Sequence, residues 1–123
     1  MGSKSVDVLV IDDNDLQLEY LDHLLQAHGY AVYTTNDSKN AITIIKSVKP
    51  RLIILDIMMP EVDGFTILKK IRDDVDLKSI PVIVFTSKIF AVDKKKALFL
   101  GADSFIAKPV KGSVIIEEIK KIL

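Results

Sequence analysis

Apolar positions fall into two kinds of segment that take turns along the chain. Residues 6–11, 31–35, 52–55, 81–85 and 104–107 are short and mostly rich in β-branched or aromatic side chains. Three of them (VDVLVI, LIIL and PVIVF) are nearly continuous apolar runs, the pattern of strands covered on both faces. The intervening segments repeat with a helical period instead. Leu18, Leu21 and Leu25 mark the first, and Ala41, Ile44, Ile45 and Val48 follow i, i+3, i+4, i+7. Phe65, Leu68 and Ile71 carry the third, Ala97, Leu98 and Leu100 the fourth, and Ile115, Ile119 and Ile122 the fifth. Boundary residues agree with this division. Asp37 or Ser38 can cap the second helix, and Ser113 with Glu117 can open the fifth. Gly29 and Gly101 stand where helices should end, and Pro50 stops the second helix before the third strand.

Five strands alternating with five helices predict an α/β fold, a doubly wound (βα)5 parallel sheet with right-handed crossovers and helices on both faces. Five strands suit the order 2-1-3-4-5. Connections this short leave no room for a second domain, so residues 1–123 read as one domain. Residues 1–4 read as a disordered or ordinary start, or as a cloning scar (Met1-Gly2-Ser3).

Composition narrows the function. Lys and Arg number 17, as do Asp and Glu, and a net charge of zero argues against direct nucleic-acid binding. No cysteine is present, which removes disulfides, thiolate metal sites and a cysteine nucleophile. The longest apolar run, residues 53–60, is broken by Asp56 and is too short to span a bilayer. With no signal peptide visible, the expectation is a cytoplasmic protein that does not contact membranes.

In a doubly wound sheet, ligands bind beyond the carboxyl ends of the strands. Acidic residues gather there. The first strand runs into Asp12-Asp13-Asn14-Asp15, and the third into Asp56 followed by IMMPEVDG. The fourth delivers Thr86 and Ser87, and the fifth Lys108-Pro109. Each has an ordinary reading when taken alone: a helix cap, a turn residue, a strand threonine, a loop lysine. The fold, however, brings all four loops to one edge. Converging carboxylates repel one another and favour a bound cation, and all-oxygen donors favour a hard one such as Mg²⁺, with Mn²⁺ able to substitute. A hydroxyl and an ammonium beside them suit the oxygens of a phosphoryl group, so a carboxylate nucleophile here points to phosphoryl transfer onto aspartate.

The pair Asp12-Asp13, the run DIMMPEVDG from Asp56, Thr86 and the late Lys108-Pro109 resemble the receiver domain of two-component response regulators along essentially the whole chain. The resemblance implies that Asp56 is the phosphoacceptor, taking phosphate from a sensor histidine kinase or a histidine phosphotransfer protein. It implies that Asp12, Asp13, Asp56 and the backbone carbonyl of Met58 hold Mg²⁺. Lys108 would contact a phosphoryl oxygen, the bond to Pro109 would be cis, and Thr86 would swing inward to the phosphoryl group while Phe105 turns with it. Output to a downstream protein would then pass through the fourth helix, fifth strand and fifth helix. Such a domain is not an enzyme beyond assisting its own phosphorylation and dephosphorylation.

Several residues depart from the commonest choices of that family. Phe105 replaces a frequent tyrosine, so its switch is expected to rest on packing alone. Ser87 stands where a smaller residue is common and crowds access slightly, and Val110 replaces a larger apolar residue. Met58 and Lys88, two beyond Asp56 and Thr86, flank the expected phosphoryl group, and neither suits the orienting of a water molecule. This predicts slow hydrolysis, the alternative being that both are merely loop-exposed. His23 and His28 read as surface residues of the first helix, and Lys94-Lys95-Lys96 as a solvated helix face. Phe90 and Phe99 fit either core or surface.

Three rival readings differ in chemistry. A small Mg²⁺-dependent aspartyl-phosphate phosphatase would place its nucleophile on the first strand in a D-x-D arrangement, whereas Asp12 and Asp13 are adjacent. A flavin-binding module would offer hydroxyls and glycines to a phosphate, which DDND would repel. A receiver-like interaction module that is never phosphorylated would not need the full acidic set. A stand-alone regulator and a piece of a longer protein both remain compatible with the sequence. Neutrality also conceals a polarity. Residues 1–87 hold nine basic and thirteen acidic side chains, and residues 88–123 hold eight and four. A partner docking on the last third is therefore expected to be acidic.

Overall fold

The computed structural model describes residues 5–88 and 90–123, so the expectation for residues 1–4 falls outside the described part of the chain. Five strands, β1 (Val8–Ile11), β2 (Val32–Thr35), β3 (Leu52–Leu55), β4 (Val82–Thr86) and β5 (Ser104–Ala107), form one parallel sheet in the order β2-β1-β3-β4-β5. Helices α1 (Asp15–Ala27), α2 (Ala41–Val48), α3 (Gly64–Asp73), α4 (Ala91–Phe99) and α5 (Gly112–Ile122) make the crossovers. Register follows the apolar runs: Val8 pairs with both Val32 and Leu52, Ile53 with Val82, and Ile83 with Ser104. Every residue of β1, β3 and β4 is buried, whereas the edge strands β2 and β5 are partly exposed.

Side chains alternate across the sheet and so feed two separate cores. Leu9, Ile11, Ile53, Leu55, Val82 and Val84 face α2, α3 and α4. Val8, Val10, Leu52, Ile54, Ile83 and Phe85 face α1 and α5. Each fully buried Leu or Ile in these layers contributes about 1.5–3 kcal/mol relative to exposure, which is what holds the loops at the sheet's carboxyl edge in place.

Local signals place the helix ends, with corrections. Gly29 (φ +86°) and Gly101 (φ +105°) do follow α1 and α4 in the left-handed region. Asp37 does not cap α2 directly: it accepts a bond from the Asn40 amide and starts a single 3-10 turn, Ser38–Asn40, that leads into the helix. Ser38 is buried, and Ser113 lies inside α5, whose N-cap position is Lys111 without a side-chain cap. In α4 the buried positions are Asp93 and Ala97, while Leu98 is exposed, so the expected apolar face of that helix is wrong in detail. The cause is an ion pair that lets a carboxylate occupy the inner face. His28 caps the end of α1, with its ring Nδ1 2.9 Å from the Leu24 carbonyl oxygen.

A polar staple absent from the sequence reading ties the far side of the sheet together. Arg72 on α3 donates to the carbonyls of Gly101 (2.9 Å), Lys78 (3.2 Å) and Ile80 (2.7 Å), and to Asp103 (2.9 Å). The same Asp103 oxygen accepts from the amide of Val82 at 2.8 Å. No helix among the described residues is long and apolar enough to cross a membrane.

Candidate functional site

Two strand ends deliver the three carboxylates. β1 ends at Ile11, and Asp12 follows in a turn where its Oδ1 accepts from the Asn14 amide at 3.0 Å. Asn14 in turn caps α1 by accepting from the Gln17 amide, so Asp12 is free of the capping role and points to the centre of the site. β3 ends at Leu55, and the next residue, Asp56, is held by the Met58 amide donating to its Oδ1 at 2.9 Å. Asp12 and Asp56 are buried and Asp13 is exposed. One carboxylate oxygen from each of the three lies within 4.8 Å of the others.

Lys108 closes the cluster. Its Nζ donates to Asp12 Oδ2 at 2.7 Å and to Asp56 Oδ2 at 3.2 Å. The lysine leaves β5 through a cis bond to Pro109, and its amide donates to the Thr86 carbonyl at 2.8 Å, which fastens the β5 exit to the β4 exit. The Phe85 ring lies 5.3 Å below the ammonium. Burial pushes the Asp12 carboxyl above the ordinary carboxylate range, against the Lys108 ammonium and the Asn14 amide, which pull it down. The site thus holds more negative charge than one lysine balances. Three oxygen donors from the ends of two strands, two of them desolvated, suit a hard divalent cation by their chemistry and by their spacing.

The remaining expected residues lie close by. Thr86 is fully buried, and its hydroxyl accepts from the Lys88 amide at 3.2 Å. Phe105 is half-buried and packs against the core on the α2, α3 and α4 side. Met58 is 55% exposed, with its sulfur 3.5 Å from the Ser87 hydroxyl. Lys88 lines a recess of about 420 Å³ together with Ile57, Met58, Met59 and Pro60, and its ammonium stands 3.5 Å from Asp93. Lys94, Lys95 and Lys96 are solvated as expected, although Lys96 also sits 4.5 Å from the Phe65 ring. Phe90 and Phe99 are surface residues, 70% and 88% exposed.

Gly64 stands in the motif without a role assigned by the sequence reading, and Asp93 escaped it. Gly64, the last residue of the run that starts at Asp56, brings α3 against the backbone of Asp56 and Ile57, so closely that a Cβ would stand 2.4 Å from the Ile57 Cα. Its place at the end of an acid-rich loop and the start of a helix was the available signal. Asp93 was missed because an acid at the first turn of a helix ordinarily serves the helix dipole at the surface.

Comparison with known proteins agrees with this geometry. Residues 8–120 match the family model of the response regulator receiver domain. The polar-differentiation response regulator DivK of Brucella anthropi is 33% identical over 116 residues, covering 94% of each chain, and that of Brucella ovis matches to the same extent. Among solved structures, the chemotaxis protein CheY4 of Vibrio cholerae superposes with a TM-score of 0.89 at 26% identity, covering 98% of this chain and all of that one. The signal receiver domain of a histidine kinase from Syntrophus aciditrophicus gives 0.87 at 34% identity, covering 96% and 89%.

Proposed function

Because the chain belongs to the response regulator receiver domain family, we propose that it is a phosphorylation switch whose phosphoacceptor is Asp56. The observation that supports this most directly is the convergence of Asp12, Asp13 and Asp56 within 4.8 Å, with Lys108 bonded to two of them. The partner upstream is a sensor histidine kinase or a histidine phosphotransfer protein, and the setting is the cytoplasm. Asp12, Asp13, Asp56 and the Met58 carbonyl would hold Mg²⁺, or Mn²⁺ in its place. When bound, the cation neutralises charge on the transferring phosphoryl group.

The residues of the chain do the rest. Asp56 is buried and pinned by the Met58 amide through Oδ1, so its carboxylate is oriented before the donor arrives. In the transfer, a carboxylate oxygen of Asp56 bonds to phosphorus as the bond from phosphorus to the donor imidazole nitrogen breaks. The departing imidazole keeps that electron pair and takes a proton. Lys108 shifts from Asp12 and Asp56 to a phosphoryl oxygen, and the Thr86 hydroxyl turns from the Lys88 amide to another. The new group adds nearly two negative charges, which is why both must move, and the movement favours one of two pre-existing states. Phe105 follows Thr86 by packing, and the surface of α4, β5 and α5 changes for a downstream protein. With Met58 largely exposed and Lys88 a cation, neither positions an attacking water, so the phosphoaspartate is long-lived.

Intact mass after incubation with acetyl phosphate and Mg²⁺ tests the reading. A gain of about 80 Da, one phosphoryl group, is expected in wild type. Asp56→Asn and an excess of chelator should each abolish it. No gain in wild type, or an undiminished gain in Asp56→Asn, would refute Asp56 as the acceptor.

A further inference from the structure

Lys88 touches three parts of the molecule around the proposed phosphoacceptor. Its amide donates to the Thr86 hydroxyl at 3.2 Å, and its ammonium stands 3.5 Å from Asp93 in the first turn of α4. It also lines the recess formed by the residues that follow Asp56. Asp93 is 8% exposed, whereas the Lys88 side chain is 41% exposed and has room to turn. The amides of Asp93 and Lys94 both donate to the Phe90 carbonyl, so the Lys88 and Asp93 pair fastens the loop to the opening turn of α4.

We infer that Lys88 is exchanged between two anions: Asp93 in the resting protein and the phosphoryl group on Asp56 in the modified one, with Asp93 acting as the positioning residue that parks the lysine. This rests on Asp56 being the phosphoacceptor. The exchange is non-covalent and moves one positive charge. A phosphoryl group carries nearly two negative charges against one on a carboxylate, so it outcompetes Asp93 for the ammonium. Thr86 turns toward the same group and releases the Lys88 amide, which frees the residue's main chain at the same moment. Asp93 is then left buried without its cation, an arrangement that weakens the turn it occupies. Phosphorylation at the strand edge is thereby read at the start of α4 through a swap of partners. Once docked, the ammonium covers the side from which water would reach phosphorus, so Asp93 also sets the lifetime of the modified state.

Two readouts on the full chain test this: the decay rate of the phosphorylated protein by intact mass, and hydrogen exchange at the Asp93 and Lys94 amides before and after acetyl phosphate. In Asp93→Asn the lysine is released, so decay should slow by about threefold, the scale of a partly exposed ion pair. The change in amide protection seen on phosphorylation of wild type should also largely vanish. Lys88→Met should decay faster than wild type, and adding Asp93→Asn to it should have no further effect. Decay in Asp93→Asn equal to wild type, or the same slowing in the Lys88→Met background, would overturn the exchange while leaving Asp56 as acceptor. Absence of any mass gain in wild type would overturn both readings together.

Discussion

Gly64→Ala is the sharpest probe of how the fold positions the phosphoacceptor. A Cβ at residue 64 would stand 2.4 Å from the Ile57 Cα, 2.5 Å from the Asp56 carbonyl oxygen and 3.1 Å from the Ile57 Cβ, where ordinary contacts lie at 3.4–4 Å. Two of the three obstacles are backbone, so no rotamer change relieves them. The start of α3 and the Asp56–Ile57 strand exit must separate by about 1 Å, which also breaks the 3.4 Å bond from the Gly64 amide to the Ile57 carbonyl. Overpacking of this kind costs about 1–3 kcal/mol, of which alanine's better helix propensity returns only a part. A net loss of about 2 kcal/mol corresponds to roughly 8 °C in a domain of this size. Because the displaced atoms include the Asp56 carbonyl, the phosphorylation rate with acetyl phosphate should fall at least about tenfold. Gly29→Ala is the control. Its residue has φ +86° but nothing within 4 Å, so it should cost about 1 kcal/mol through backbone strain and leave the phosphorylation rate unchanged. Thermal unfolding by circular dichroism and the initial rate of mass gain measure the two effects. A Gly64→Ala protein that melts and reacts like wild type would refute the reasoning.

Further expectations come from other parts of the molecule. Burial raises the Asp12 carboxyl above its ordinary value of 3.8, so the stability tied to its protonated form is complete below that value and is lost as pH rises through the higher, folded one. Asp12→Asn in chelator should therefore be more stable than wild type at pH 7, with the advantage gone near pH 3; urea midpoints that show an advantage growing toward acid would contradict this. Arg72→Leu removes four hydrogen bonds and leaves the carbonyls of Gly101, Lys78 and Ile80 to other partners, so its urea midpoint should drop by the equivalent of about 2–3 kcal/mol, and a change below about 0.5 would count against the staple. If Phe105 switches by packing alone, Phe105→Tyr should alter the affinity of a downstream partner in at least one phosphorylation state. Equal affinity in both states, measured by titration calorimetry, would sink that idea.

The elements that sequence patterning predicts well are those where burial is nearly uniform. LIIL and VIVF have no polar face, so only a central strand accommodates them, and β3 and β4 are fully buried. The edges of elements are less legible because one or two hydrogen bonds decide them. Pro81 precedes β4 and Thr86 joins it because Thr86 pairs with Ala107. Asp37 reads as a helix cap but starts a 3-10 turn, since its carboxylate reaches the amide three residues on before the α2 ladder begins. That Asp12, Asp56 and Lys108 meet at one edge is legible because each directly follows a strand, with Thr86 closing another. Their partners are not. Nothing in residue order tells Arg72 to reach Gly101 and Asp103, because those contacts depend on how α3 sits against the turn after α4, with β4 between them. Asp93 turns inward only because the loop before α4 folds Lys88 back to it.

The sparse attachment of α4 has a consequence for how the chain meets proteases. Its inward positions among the described residues are a charged side chain and an alanine, Asp93 and Ala97, whereas α3 buries Phe65, Ile67, Leu68 and Ile71. Lifting α4 away therefore uncovers far less apolar area than lifting α3, and its opening lies near the low end of the range of local free energies. That helix also presents Lys94, Lys95 and Lys96 in succession. Trypsin should make its first internal cut there, from the folded protein and at a rate that follows the opening equilibrium rather than global unfolding. A shift in that cleavage rate on phosphorylation would then give a simple gel assay for the state of the switch.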